Sequence, residues 1–224
     1  MYKPASEYGD DGIPCLRMYN IDAGGIVWRD IKRMRVTDAE RIDYGLLEGD
    51  LLVNRVNSRE LVGKTALIPF GMEPSVFESK NIRLRLNADK ARAKFINYQL
   101  LARGRHHFAG NAQQVVGMAS ISQTQLADFP IVLTSLEHQD EIIAELDKQF
   151  SRLDEAVANL QRVKANLKRY KAAVLKAAVE GHLVETEASI ARREGRDPAS
   201  GETLLARILQ RRAEKWSGKG KVPT

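Results

Sequence analysis

Between Pro130 and Gly181 the chain contains neither proline nor glycine, and Thr134 and Glu137 stand at capping-box spacing near the start of that window. Such a run reads as one uninterrupted helix over residues 135–181. About 45 residues at 1.5 Å each extend roughly 65 to 70 Å, more than a domain of this size needs, so the helix is expected to project. Its apolar residues step by seven. Leu146, Leu153, Leu160, Leu167 and Val174 share one heptad position, and Ile143, Phe150 and Val157 hold the companion position four residues later. This is the pattern of a coiled-coil seam. Beyond Val157 the companion stripe is interrupted by Lys164 and Lys171, while Val163 and Tyr170 take over one position earlier. Charge along the helix is polarised. Residues 137–155 hold seven acids against two bases, and residues 156–180 six bases against one acid. The helix thus complements its own macrodipole, and two copies laid antiparallel would place acidic end against basic end. A homodimer through antiparallel helices is the expectation.

Ahead of this helix, residues 1–134 read as one mixed domain. Residues 13–21 (IPCLRMYNI), 50–56 (DLLVNRV) and 62–68 (VGKTALI) are strand-like, the last two as a hairpin-like pair, and Gly24-Gly25 marks a turn. In residues 81–87, Ile82, Leu84 and Leu86 alternate with Arg83 and Arg85, so one face should pack while two guanidiniums project from the other. A helix is expected over residues 88–103, ended by Gly104, and a short one opens at Ser122 with Gln125 in capping-box spacing. A short strand is expected at residues 131–133. After Gly181 come a connector, a helical turn at 187–194, an amphipathic helix at 202–216 with Leu204, Leu205, Ile208 and Leu209 on its apolar face, and a linker-like tail at 217–224. The fold class is therefore α+β: a recognition-sized domain (1–134), a long coiled-coil helix (135–181), a connector with a C-terminal helix (182–216), and the tail.

Charge and composition narrow the function. Apolar residues make up 43% and charged residues 29%, which argues for a packed core rather than general disorder. Cys15 is the only cysteine, so neither a disulfide framework nor a cysteine-based zinc cluster is available, and a reducing compartment fits. No apolar run approaches the length of a membrane span and no signal-peptide core is present, which makes the cytoplasm the expected location. The net charge of +6 is concentrated. Residues 54–114 carry eleven Lys and Arg against four acids, a local balance of +7. A positive field of this kind suits a polyanion, and double-stranded DNA is the expected partner. Side chains able to read base edges or hold phosphates cluster twice in or beside this segment. One cluster is Arg55, Asn57, Ser58, Arg59 and Lys64. The other is Arg103, Arg105, His106, Asn111, Gln113, Gln114, Ser122 and Gln123, and Arg83 and Arg85 add positive charge between them.

Signatures of catalysis are missing. The sequence has no phosphate-binding glycine loop ending in Gly-Lys-Ser/Thr, no dinucleotide fingerprint, no His-Glu-x-x-His, no Gly-x-Ser-x-Gly and no Asn/Asp-Pro-Pro-aromatic motif of amino-methyltransferases. Glu78-Ser79-Lys80 has the Glu-x-Lys form of many metal-dependent nucleases, with Asp50 the nearest upstream strand acid, but such a tripeptide is common by chance. His106 and His107 are adjacent and without a third ligand, so they read as loop residues near DNA and no metal site is expected.

The order of parts resembles the specificity subunit of Type I restriction-modification systems. The resemblance is carried by residues 11–21 (DGIPCLRMYNI), 49–57 (GDLLVNRVN) with 61–64 (LVGK), and 121–131 (ISQTQLADFPI). The helix entry 135–139 (SLEHQ) and exit 175–184 (LKAAVEGHLV) complete it. It implies a target recognition domain joined to a conserved helical spacer that docks DNA methyltransferase (modification) subunits, with a restriction and translocation subunit as a further partner. Catalysis and S-adenosylmethionine would then belong to those partners, with no cofactor on this chain. Arg55, Asn57 and Lys64 are the loop positions it best supports as DNA-facing. Members of that family usually carry two recognition domains and two helical regions, whereas this chain has one of each and lacks the segment that normally precedes Tyr8-Gly9, so a half-length subunit or a fragment is expected. The competing readings are a coiled-coil adaptor with a merely solvated basic domain, and a stand-alone nuclease using Glu78 and Lys80. Purified chain given Mg2+ or Mn2+ is expected to leave duplex DNA intact on a gel, and metal-dependent cleavage lost in Glu78→Ala would establish the nuclease instead.

Overall fold

The computed structural model describes residues 1, 3–115 and 117–216, apart from the side chains at 5, 114 and 115. The expected tail at 217–224 lies outside the described residues. Two units are present, Met1–Ser151 and the part beginning at Arg152. In chain order the first unit contains β1 (Tyr8–Gly9), β2 (Ile13–Leu16), β3 (Ile21–Asp22), β4 (Gly25–Ile26), β5 (Lys32–Met34), α1 (Asp38–Tyr44), β6 (Leu51–Asn54), β7 (Val56–Asn57), β8 (Thr65–Leu67), β9 (Val76–Phe77) and β10 (Asn81–Leu84). There follow α2 (Ala93–Gln99), α3 (Arg105–Asn111), β11 (Gln113–Val115), β12 (Met118–Ser120), α4 (Gln123–Ala127) and the start of α5 (Leu136–Val179). The second unit holds the rest of α5, then α6 (Glu187–Arg193) and α7 (Gly201–Lys215). This is the α+β class expected from the sequence.

The central sheet is antiparallel, β10-β6-β8. Period-two alternation in β6 decides what packs where: Leu51 and Val53 face a core with Ile82, Phe95, Ile96, Leu100, Phe108 and Ile121, while Leu52 faces a second cluster with Leu16, Ile21, Ala66, Ile68 and Phe77. Both faces are buried, so β6 reads as a continuous apolar run. A second sheet, β1-β5-β2-β9, carries a parallel β2–β9 pair, and β11-β12-β7 forms a third.

Several local expectations are corrected. The strand expected to reach residue 21 stops at Leu16, because the Asn20 carboxamide accepts from the Arg17 N–H and donates to the carbonyls of Val27 and Arg29, drawing the chain into a turn. The helix expected at 88–103 begins at Ala93. Its preceding N–H, on Arg92, donates instead to the Gln139 side chain at 2.8 Å. Nor does Gly104 end it: a π-turn over Leu100–Gly104 carries the helix into α3. Gly104 is placed where a Cβ would come within 3.3 Å of the Phe108 ring, so glycine here serves packing. Residues 131–133 form no strand. Val132 instead exchanges both backbone hydrogen bonds with the Gln99 side chain, which substitutes for a neighbouring strand. At the head of α5 the capping residue is Ser135 rather than Thr134, its Oγ accepting from the His138 N–H.

The first turns of α5 are fastened to the domain. Gln139 is fully buried, accepting from the Arg92 N–H and donating to the carbonyls of Lys90 and Thr134. Asp140 pairs with Arg92, Asp147 accepts from Lys94 at 2.7 Å and from Tyr98, and Phe150 meets the Tyr98 ring. Burial and the Asp147 bond together push the Tyr98 hydroxyl up to about 12. Ile143, expected in the coiled-coil seam, packs on the domain core instead, since its place in the heptad coincides with this docking face. Gln139→Ala removes three part-buried hydrogen bonds made by a fully buried side chain, so a loss of about 2 kcal/mol in chemical denaturation is expected.

Candidate nucleic-acid interface

The two polar clusters seen in sequence form one surface. Strand β7 pairs antiparallel with β12, Val56 against Ser120 and Asn57 against Ala119, so the loop after β7 lies beside the β11–β12 hairpin. Helix α3 closes over the same loop. The Arg59 Nε donates to the carbonyl of Ala109, fifty residues away, at 3.0 Å. Gly63, at φ +84°, lies so close to Phe108 that a Cβ would sit 2.4 Å from its ring. Lys64 and Arg105 line one cleft of about 310 Å3 together with Asp22, Ala23 and Leu101.

Buried amides hold this arrangement. Asn54 donates to the Lys80 carbonyl and to the Asn81 side chain, and accepts from the Asn57 side chain at 2.8 Å; the Asn57 oxygen in turn accepts from the Ser58 N–H. Asn81 reaches the Leu16 carbonyl, while Asn97 accepts from Thr65 and donates to the Gly24 carbonyl. Asn57 is thereby committed to the fold.

Other expected contact residues divide in the same way. Arg85 forms a bidentate pair with Asp50, and Arg83 donates to the Gly45 carbonyl while stacking over Phe77, so neither guanidinium projects freely as the strand alternation suggested. The physical reason is Asp50: buried to 2% exposure, its carboxylate needs a cation and also takes the Leu47 N–H. That engagement also withdraws Asp50 from the nuclease reading. Arg103 stacks over Phe129 and donates to Gln99 and the Pro130 carbonyl, and Ser122 caps α4 in a reciprocal box with Gln125. The Asn111 side chain bonds the His107 carbonyl. His106 and His107 sit on α3, not in a loop, and His107 packs edge-on against Phe108 and Phe129. The side chains of Arg105, His106, Gln113 and Gln123 are exposed, and Gln114's side chain lies outside the described residues.

Sequence reasoning missed the β3–β4 hairpin as part of this surface, although Gly24-Gly25 signalled its turn. Asp22 at its tip pairs with Lys64 at 2.9 Å, and that ammonium holds the carboxyl below its usual range. Glu60 is likewise held low by its own backbone N–H and the Ser58 hydroxyl, with Arg59 and Arg105 adding attraction. Both carboxylates act as internal counter-ions that a polyanion would have to displace.

No family model matches the chain. Over 213 residues it is 25% identical to the Type I restriction enzyme EcoKI specificity subunit of Escherichia coli K12, covering 94% of this chain and 45% of that one. It is 32% identical over 136 residues to the putative Type I restriction enzyme MjaX specificity subunit of Methanocaldococcus jannaschii, covering 58% of this chain and 31% of the relative. The chain is similar in sequence to these Type I restriction specificity subunits. It spans less than half the length of these curated specificity subunits. Solved structures agree on the fold. A chain from work on complex assembly and conformational transition of the Type I R-M system superposes with TM-score 0.61 at 20% identity, covering 81% of this chain and 42% of that one. The HsdS subunit from Thermoanaerobacter tengcongensis superposes with TM-score 0.54 at 16% identity, covering 74% and 42%. The specificity-subunit fold is therefore present, and within it the contact of Gly63 with Phe108 joins the two halves of the candidate interface. Gly63→Ala, strained by its positive φ and by the ring, is expected to cost about 2 kcal/mol in thermal or chemical unfolding.

Proposed function

We propose that this chain is the DNA-reading component of a Type I restriction-modification assembly and carries no catalytic centre. The observation that carries the reading is the convergence of residues 55–64 and 103–123 on one basic surface, in a chain similar in sequence to specificity subunits. On this reading Arg105 and Lys64 neutralise phosphates, and Gln113 and Gln123, with donors and acceptors on exposed amides, address base edges. Methylation of adenine with S-adenosylmethionine falls to modification subunits, and translocation and cutting to a restriction subunit where one is present.

The long helix supplies the second half of the proposal. Phe150, Leu153, Val157, Leu160 and Leu167 are between 44% and 68% exposed, an apolar stripe that needs a partner. Its polarised charge favours an antiparallel second copy, which would give two recognition domains and a symmetric DNA site. The same stripe is what favours the adaptor reading, in which the helix alone is functional. Co-expression with a cognate modification subunit and mapping of methylated adenines is expected to give one symmetric site dependent on this chain. Arg55→Ala with Arg105→Ala is expected to weaken duplex binding and to lower the slope of log affinity against log salt by about 2. Recovery of a protein partner from nuclease-treated lysate, with no duplex affinity, would establish the adaptor.

A further inference from the structure

The guanidinium of Arg55 has no partner in the fold among the described residues. Its Nε is buried, and no hydrogen bond or ion pair meets it among the described residues. No hydrogen bond or ion pair of the Arg55 side chain is spent within the described fold, so its outer N–H groups remain available to a ligand. Arg55 opens into a cavity of about 320 Å3 that it shares with Arg83, Ser79 and Gln123, walled by Tyr44 and Phe77. No carboxylate lines it among the described residues. Arg83 is already immobilised there, stacked on Phe77 and anchored through the Gly45 carbonyl, so little rotamer entropy remains to be lost on binding. Two guanidiniums beside a hydroxyl match the oxygens of a phosphate group.

We propose that this cavity seats a single backbone phosphate of the bound duplex at the margin of the reading surface. The proposal rests on the DNA-reading function above and separates two roles within it. The cavity adjoins the interface directly: the Arg55 carbonyl accepts from Ile121 N–H at 2.9 Å, its neighbour Val56 pairs with Ser120 of the hairpin, and Gln123 opens the helix that follows. Its phosphate contact contributes affinity and register, whereas sequence choice stays with the exposed amides.

The test compares the chain with its Arg55→Gln and Arg55→Lys variants on duplexes selected from a random-sequence pool. Arg55→Gln should lower the salt slope by about 0.9, which makes the affinity ratio to wild type change about threefold between 50 and 200 mM salt. The selected sequence should stay the same and the melting temperature should not fall, because no intramolecular bond of the guanidinium is lost. Arg55→Lys should restore most of the slope. One neutral methylphosphonate linkage in the duplex should weaken wild type and leave Arg55→Gln unaffected. Unchanged affinity and slope in Arg55→Gln, with wild type binding normally, overturns the cavity assignment alone. A changed sequence preference overturns it in favour of base reading, and a lowered melting temperature with unchanged slope in favour of a structural role. Saturation by inorganic phosphate that Arg55→Gln abolishes, without any effect on duplex affinity, identifies free phosphate as the occupant and also overturns it. Failure of wild type to bind any duplex removes the DNA-reading function itself.

Discussion

Buried amides need partners, and in this domain those of Asn54, Asn81 and Asn97 lie on segments far apart in sequence, while Asn57 is held by nearby Asn54. An unmatched carboxamide in the core costs on the order of 1 to 3 kcal/mol, so these side chains act as a registration device rather than as a source of net stability. Asn54 and Asn81 tie the end of the central sheet to β2, Asn57 fixes the start of the loop that follows β7, and Asn97 ties the helix before the π-turn to the β3–β4 hairpin. Phe108 then seals the junction by occupying the space that Gly63 leaves open. The candidate interface is the outer face of this sealed junction.

Charge on that face is balanced more closely than a count of lysines and arginines suggests. Arg83, Arg85 and Arg103 spend their donors on backbone carbonyls, a buried aspartate and aromatic rings, and Lys64 sits against Asp22. What remains outward is a smaller set around Arg105, beside an Arg55 held without a partner. A surface of this kind couples a fixed scaffold to a few adjustable contacts, which suits a reader whose specificity must change while its fold does not.

Much of the architecture was legible in residue patterns because those patterns are local. The strand at β10, the capping box at Ser122 and the unbroken helix α5 each follow from local residue patterns, and each stands in the structure. Misreadings arose where a side chain from elsewhere took over a backbone role. Gln99 replaced the partner of an expected strand at Val132, and Gln139 took the N–H of Arg92. Nothing in the neighbouring residues announces such long-range substitutions.

The sequence alone determined the α+β class, the long heptad helix with its charge polarity, and the concentration of basic and amide side chains between β6 and α4, since periodicity and composition are properties of the chain itself. Tertiary structure alone decided which of those side chains face outward. Asp50 claims Arg85, Phe77 and Gly45 hold Arg83, Asn54 claims Asn57, and the domain core takes Ile143 from the helix seam. Burial is the physical reason: a charge or amide removed from water must be paired with whatever the fold brings near, and that neighbour is set by distant parts of the chain.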